Sequence, residues 1–222
     1  MKQLELFDKE EDREDLLLLK NDPLKLEQGL RKKGYVRCIG IDEAGRGPLA
    51  GPVVSCACLL PHPISISFKL IDSKLLSEAQ IEEFYHCLIE TPGVEYSIAI
   101  IGPEVIDEIN ILQATLRAMR EAASKIEAEV AIVDGTIDPC LPIPSICLAK
   151  ADRFCQSVSA ASIIAKYSRD QLMKKYDRMW PEYGFSKNKG YGTAYHRAQL
   201  QRHGPSPIHR RSFAPLKTQA SL

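Results

Sequence analysis

Residues 39–48 read Ile39-Gly40-Ile41-Asp42-Glu43-Ala44-Gly45-Arg46-Gly47-Pro48. An apolar run gives way to two adjacent carboxylates, then to an arginine between glycines and a proline. Val36, Cys38 and Gly40 alternate with Arg37, Ile39 and Ile41, the period of a strand, so Asp42 is expected at or near the strand's end. Carboxylates are depleted in strand interiors and costly to bury unless paired or bound to a cation. Gly45 and Gly47 let the backbone approach a ligand closely or adopt positive φ. Two acids beside such a backbone suit a hard-cation site next to a phosphate-bearing substrate. A polar hairpin turn explains the same residues, since Gly and Pro punctuate turns and acids often sit there. On this stretch alone both readings stand.

After the turn, Val53 to Leu60 reads as a second strand, making Tyr35–Ile41 and Pro52–Leu60 a hairpin pair. The glycines at 45, 47 and 51 are spaced one residue too far for a dinucleotide fingerprint, and no helix succeeds them. The chain contains no G-x-x-x-x-G-K-[ST], no H-E-x-x-H and no G-x-S-x-G. Metal and acid chemistry is what the motif leaves.

Further along, Glu95–Ile101 reads as a third strand, and Ser77–Glu90 as a helix capped by Ser77. The spacing of Ile109, Leu112, Leu116, Met119 and Ala123 predicts a helix over 106–128. Glu129–Val133 is a short β-branched strand ending in Asp134-Gly135, and Ser145–Ala149 is another, ending in Lys150-Ala151-Asp152. A long helix is expected from about Arg153 to Met179, with small residues at Ser157–Ser162 that allow close packing on a sheet. Antiparallel strands followed by βα alternation indicate an α/β fold, a mixed sheet flanked by helices. Ligands gather at the carboxyl ends of strands in such sheets. Asp42, Glu43, Asp134 and Asp152 come from three strand ends and are expected to converge. Singly, Asp134 could serve a turn and Asp152 could cap the long helix. Together they suit two Mg²⁺ or Mn²⁺ ions about 3.5–4 Å apart, an arrangement that cuts phosphodiesters.

The 222 residues, 45% of them hydrophobic, suit one domain or one domain with a small appendage. Three segments are expected: an acidic and helical stretch over 1–33, a catalytic domain over 34–180, and a basic extension over 181–222. No apolar run nears the roughly 18 residues that span a bilayer, and the acidic start lacks a basic leader region. Seven cysteines without a C-x-x-C pair read as reduced packing residues rather than zinc ligands. A soluble, cytoplasmic protein without a membrane partner is the expectation. Lysine and arginine balance aspartate and glutamate at 29 each, yet the basic residues concentrate after Lys166. That asymmetry, interleaved with Tyr183, Phe185, Tyr191 and Tyr195, points to a polyanion partner such as nucleic acid; a solvated helix face is the plainer account.

These motifs, in order, resemble bacterial ribonuclease HII, the type 2 RNase H family. The resemblance rests on residues 42–52, Asp72-Ser73-Lys74, residues 109–115, Val133-Asp134-Gly135, residues 159–166, Lys189-Gly190-Tyr191-Gly192-Thr193 and Arg211-Ser212-Phe213. It implies an RNase H-like fold with a helical C-terminal extension. It also implies endonucleolytic cleavage of RNA in RNA–DNA hybrids and at single ribonucleotides embedded in duplex DNA, by two-metal hydrolysis leaving 3′-hydroxyl and 5′-phosphate ends. Asp42, Glu43, Asp134 and Asp152 would be the catalytic, metal-binding acids, with Asp42 bridging both ions. Gly45, Arg46 and Gly47 would read the ribose 2′-OH through the backbone. Tyr191 would stack on the sugar at the RNA–DNA junction, and Lys74 would contact substrate. Two departures stand out. The family's Lys-Gly-Asp is Lys150-Ala151-Asp152 here, and the lysine expected after Lys74 is Leu75.

Gln3-Leu4-Glu5-Leu6-Phe7 resembles the peptide with which bacterial replication proteins dock on the sliding clamp; an N-terminal helix packed on the domain is the alternative. A non-catalytic hybrid-binding module is a rival function, although binding alone gains nothing from acids clustered beside phosphates. An integrase-like DNA nuclease is another, but it would not need the Gly-Arg-Gly reader.

Overall fold

The computed structural model describes residues 23–63 and 76–216. A five-stranded sheet forms its centre, built from β1 (Cys38–Ala44), β2 (Val53–Leu59), β3 (Glu95–Ile101), β4 (Val130–Asp134) and β5 (Ser145–Leu148). The strand order is β3-β2-β1-β4-β5. The first three strands form an antiparallel meander, while β4 runs parallel to β1 and β5 parallel to β4. This is the mixed sheet that the sequence pattern implies.

Being central, β1 is covered on both faces. Ile39 and Ile41 face helix α3 (Pro103–Ala123), in a cluster with Ile106, Met119 and Ala122. Cys38 and Gly40 face helix α4 (Gln156–Met179). A Cβ on Gly40 would stand 2.2 Å from the backbone at Ser157 and Val158, so α4 lies directly on the strand. That contact explains the small residues at the start of α4: every residue from Ser157 to Ala165 is buried. Helix α2 (Glu78–Glu90) packs beside α4 through Ile81 and Leu88, and a reciprocal Ser77–Gln80 capping box starts it.

Helix α1 (Pro23–Lys32) also joins the core. Leu26 and Leu30 pack against Cys38, Val130 and Ile132. Glu27, 5% exposed, accepts from the amide and hydroxyl of Ser157 and so satisfies donors at the first turn of α4.

Several boundaries depart from the sequence pattern, each for a local reason. β1 runs to Ala44, so Asp42 and Glu43 lie within the ladder, opposite Cys56 and Ser55. α3 starts at Pro103 and stops at Ala123, where short i→i−3 bonds from Lys125 and Ile126 close the last turn and bury Ile126. The same helix breaks at Asn110 (φ 66°, ψ 164°), whose side chain recaps the second half by accepting from the Gln113 amide. A 3₁₀ turn over Ala151–Arg153 precedes α4. Short helices α5 (Phe185–Asn188) and α6 (Ala194–His203) form the C-terminal extension.

The aromatic interleaving of that extension needs correction as a sign of nucleic acid. Tyr183 and Phe185 are core residues, packed with Met173, Leu200 and Ile208. Only Tyr191 and Tyr195 of the four are exposed. Among the described residues, no helix is long and apolar enough to cross a membrane.

Candidate active site

Parallel pairing of β1 with β4 sets Ile41 opposite Val133, so the next residues along, Asp42 and Asp134, emerge side by side. Asp42, Glu43 and Asp134 line a cleft of about 230 Å³. The Gly45-Arg46-Gly47 turn and Tyr191 form more of its wall, and Ser162, Lys166 and Arg169 of α4 complete it.

Asp42 is 4% exposed. Its Oδ1 accepts from the Glu43 amide at 2.7 Å, and the Ser162 side chain also hydrogen-bonds to it. Burial, followed by the nearby charges of Glu43 and Asp134, pushes its carboxyl well above the usual carboxylate range; the two hydrogen bonds offset only part of that rise. Crowded, desolvated carboxylates are the electrostatic signature of a place where a cation relieves repulsion.

Asp134 Oδ1 accepts from the Ala151 amide at 2.7 Å. This ties the end of β4 to the 3₁₀ turn that carries Asp152. Asp152 itself is 2% exposed and is not among the residues that line the cleft. Three of the four acids therefore line the cleft, and the fourth follows directly on Ala151, whose amide bonds to Asp134. Among the described residues, no group of three or more His, Cys, Asp and Glu side chains is arranged to enclose an ion. In the Lys150-Ala151-Asp152 departure, the left-handed conformation falls on Lys150 (φ 63°, ψ 34°). The Ala151 methyl is buried with Leu26, Leu30 and Cys155, so alanine fits where glycine is usual.

The turn after β1 is held from behind by two buried arginines. Arg210 donates to the carbonyls of Gly45, Arg46, Pro48 and Gly51. Arg169 donates to those of Ala50, Pro52 and Lys189. Burial pushes the Arg210 guanidinium down to about 9, still above neutral pH, so the cation persists. With its carbonyls tied back, the turn is left with the amides of Gly45, Arg46 and Gly47, none of which donates to another group among the described residues. Gly45 has φ +98°, and a Cβ there would meet Arg169 at 2.1 Å. The Arg46 side chain is half exposed and makes a 3.4 Å contact with Glu43. Across from the turn, the half-exposed Tyr191 ring comes within 3.5 Å of a Cβ placed on Gly47.

Ser162, Lys166, Arg169 and Arg210 were not among the expected site residues. The signal for the first three was present in their i, i+4, i+7 spacing, which puts them on one face of α4. Arg210 lay hidden in the basic tail, where a buried structural arginine is indistinguishable from a phosphate contact. Lys74 and Gln3–Phe7 lie outside the described residues.

The family model for ribonuclease HII matches residues 39–216. The chain belongs to the ribonuclease HII family. Such proteins are metal-dependent RNase H endonucleases acting on RNA–DNA hybrids. A ribonuclease HII of Desulfitobacterium hafniense (strain DSM 10664 / DCB-2) is 46% identical over 201 residues, covering 90% of this chain and 76% of the relative. The fold matches ribonuclease H2 from Pyrococcus horikoshii OT3 with a TM-score of 0.66 and 28% identity, over 82% of this chain and 96% of that one. It also matches Bst-RNase HIII in complex with Mn²⁺, with a TM-score of 0.69 and 21% identity, over 84% of this chain and 70% of that one; at that identity the likeness is one of fold.

Proposed function

We propose that this ribonuclease HII cuts RNA internally within RNA–DNA hybrids and also cuts at single ribonucleotides embedded in duplex DNA, leaving 3′-hydroxyl and 5′-phosphate ends. The observation that carries the reading is that Asp42, Glu43 and Asp134 share one cleft with the Tyr191 ring and with a turn whose carbonyls are tied back.

The donor set fits a divalent ion by its chemistry, since it is made of carboxylate oxygens and the buried Asp42 carboxylate is held against like charges. Asp42, Glu43 and Asp134, with Asp152 beside them, would hold Mn²⁺ or Mg²⁺. Two such ions supply activation of water and stabilisation of the leaving 3′ oxygen. The amides of Gly45, Arg46 and Gly47 face a ribose 2′-OH as donors, and this group distinguishes RNA from DNA. Tyr191 stacks on the sugar where RNA meets DNA. Lys166, paired with Asp170 at 2.7 Å, stands on the cleft wall as a phosphate contact. Since the 2′-OH is read rather than used as nucleophile, no cyclic phosphate forms.

The test is cleavage of a labelled duplex bearing one ribonucleotide, and of a continuous hybrid, with Mn²⁺, Mg²⁺ or EDTA. Cutting of both with either metal, silence in EDTA and 3′-hydroxyl ends are expected. Products ending in 2′,3′-cyclic phosphate would overturn the mechanism.

The protein's own sliding clamp is the proposed partner of Gln3–Phe7, its leucines and phenylalanine anchoring in an apolar groove. Calorimetric titration against that clamp is expected to release heat for the parent and none for a Leu6→Ala/Phe7→Ala variant. A silent parent ends that assignment.

A further inference from the structure

Behind Tyr191 lie two histidines that no step above employs. His196 of α6 is fully buried and His209 is 2% exposed. Their Nε2 atoms face each other at 2.9 Å. His196 Nδ1 lies 2.9 Å from the Tyr191 carbonyl oxygen, which can only accept. His209 Nδ1 lies 2.9 Å from the Ser206 amide, which can only donate, and 2.8 Å from the Ser206 hydroxyl.

These end conditions fix every proton. His196 must carry its proton on Nδ1 to donate to Tyr191, which leaves its Nε2 as an acceptor. His209 must leave Nδ1 bare to accept from the Ser206 amide, which puts its proton on Nε2. The two Nε2 atoms then meet as donor and acceptor. One tautomer assignment satisfies the whole chain from Ser206 through His209 and His196 to Tyr191. A second proton on either ring would set two donors face to face.

We propose that this His209–His196 relay is a positioning device that holds the Tyr191 backbone, and through it the Tyr191 ring, at the edge of the cleft. The inference rests on the reading of Tyr191 as the junction contact. The Tyr191 carbonyl also accepts from the Thr193 amide, and the Tyr191 amide donates to Asn188, so among the described residues the histidine supplies the backbone tether that comes from a side chain. Burial pushes His209 down to about 4 and His196 below its ordinary value, which keeps both neutral at pH 7. The groups around the pair agree with neutrality. Tyr183 and Phe185 rings pack on both, His203 reaches only the edge of Tyr183, and Arg210 turns its guanidinium to the 45–51 carbonyls. No carboxylate contacts either ring among the described residues.

The test has two arms. In ¹⁵N NMR of the full chain at pH 7, His196 is expected as the Nδ1–H tautomer and His209 as the Nε2–H tautomer. An Nε2–H His196, or a charged ring in either residue, would overturn the relay whether or not the protein cuts RNA. In the second arm, His196→Phe keeps an aromatic ring but removes the tether, whereas His196→Asn keeps a donor near the Nδ1 position. His196→Phe is expected to lower cutting at a single embedded ribonucleotide relative to a continuous hybrid by about 10–100-fold, the scale of a misplacement near 1 Å. His196→Asn should restore most of that ratio. An unchanged ratio in His196→Phe overturns the proposal, as does a His196→Asn variant that folds, by its thermal melt, yet shows the same loss. A parent protein that cuts neither substrate refutes the functional reading instead, and is told apart by the NMR arm.

Discussion

Arg210, fully buried, donates from Nη2 to the Gly45 carbonyl at 2.6 Å, joining the C-terminal tail to the turn that follows the first acids. The same guanidinium reaches three more carbonyls of residues 46–51 and stacks over Phe213, 5.1 Å from the ring centroid. The tail is held in turn by Asp107, which accepts from the amides of Arg211 and Ser212. The turn's shape is thus set by residues some 160 positions away, not by its own glycines alone.

Loss of that clamp should cost both stability and discrimination. Arg210→Met leaves four carbonyls without their shared donor, and a destabilisation of about 3 kcal/mol is expected in urea titrations. Gly45→Ala forces a methyl into Arg169 at a positive φ and should abolish preference for ribose over deoxyribose. Arg46→Ala removes only a half-exposed side chain and should change that preference little. A large loss of discrimination in Arg46→Ala would show that the side chain, not the backbone, does the reading.

The acids make the opposite trade. Asp42 is desolvated beside Glu43 and Asp134, so folding disfavours its ionised form relative to the unfolded chain. Its folded pKa is raised; stability from this group is therefore present at low pH and lost as pH rises. Asp42→Asn should raise the melting temperature of the metal-free protein by about 2–4 °C, for roughly 1 kcal/mol of relieved repulsion. The same change should abolish cleavage, and Asp134→Asn should do likewise, while hybrid binding persists. Mn²⁺ should raise the melting temperature of the parent more than that of Asp42→Asn. Thermal melts with and without metal, together with a cleavage assay, decide the matter.

Much of the fold was legible in the chain because its local signals agree. Alternation in β1, the Ser77 cap and the small residues of 157–162 each describe a contact that the fold then makes. The helix start at Pro103 and the break at Asn110 were not legible, since they answer to burial of Ile106 and to a local cap rather than to periodicity. The site divided in the same way. Asp42, Glu43 and Asp134 followed from strand ends, whereas Asp152 sits in a 3₁₀ turn whose approach to Asp134 depends on a left-handed Lys150. The basic tail misled most. Arg169 and Arg210 counted toward the basic region that suggests a polyanion partner but are taken up by backbone carbonyls, and Tyr183 and Phe185, counted as aromatics interleaved with it, are core. Charge and aromaticity in a sequence do not say which way a side chain points.

The histidine pair gives the protein a specific acid sensitivity. His209 is depressed to about 4 in the folded chain, against an ordinary value near 6.5. Between those values the unfolded chain binds a proton that the folded one refuses, so stability from this group is full above about pH 6.5 and erodes as pH falls toward 4. The loss is on the order of 2 kcal/mol. His209→Gln keeps a donor toward His196 but cannot titrate, and should flatten that part of the stability profile. Urea titrations of both proteins from pH 4 to 8 are the measurement, with equal slopes below pH 6.5 counting against the assignment.

Tyr191 offers the sharpest separation of recognition from chemistry. Its ring is half exposed at the cleft edge, while its backbone is fixed by Asn188, Thr193 and His196. Removing the ring therefore takes away a stacking surface without loosening the turn. Tyr191→Ala should keep the parent's melting temperature and its metal response. Cutting at a single ribonucleotide in duplex DNA should fall by about tenfold or more, for a stacking contribution of roughly 1–3 kcal/mol. A continuous hybrid offers many registers and should suffer less. Tyr191→Phe retains the stacking face and should stay near the parent on both substrates. Steady-state rates for the three proteins on the two substrates give the answer. An equal loss on both would move Tyr191 from junction recognition to a general role in holding the cleft.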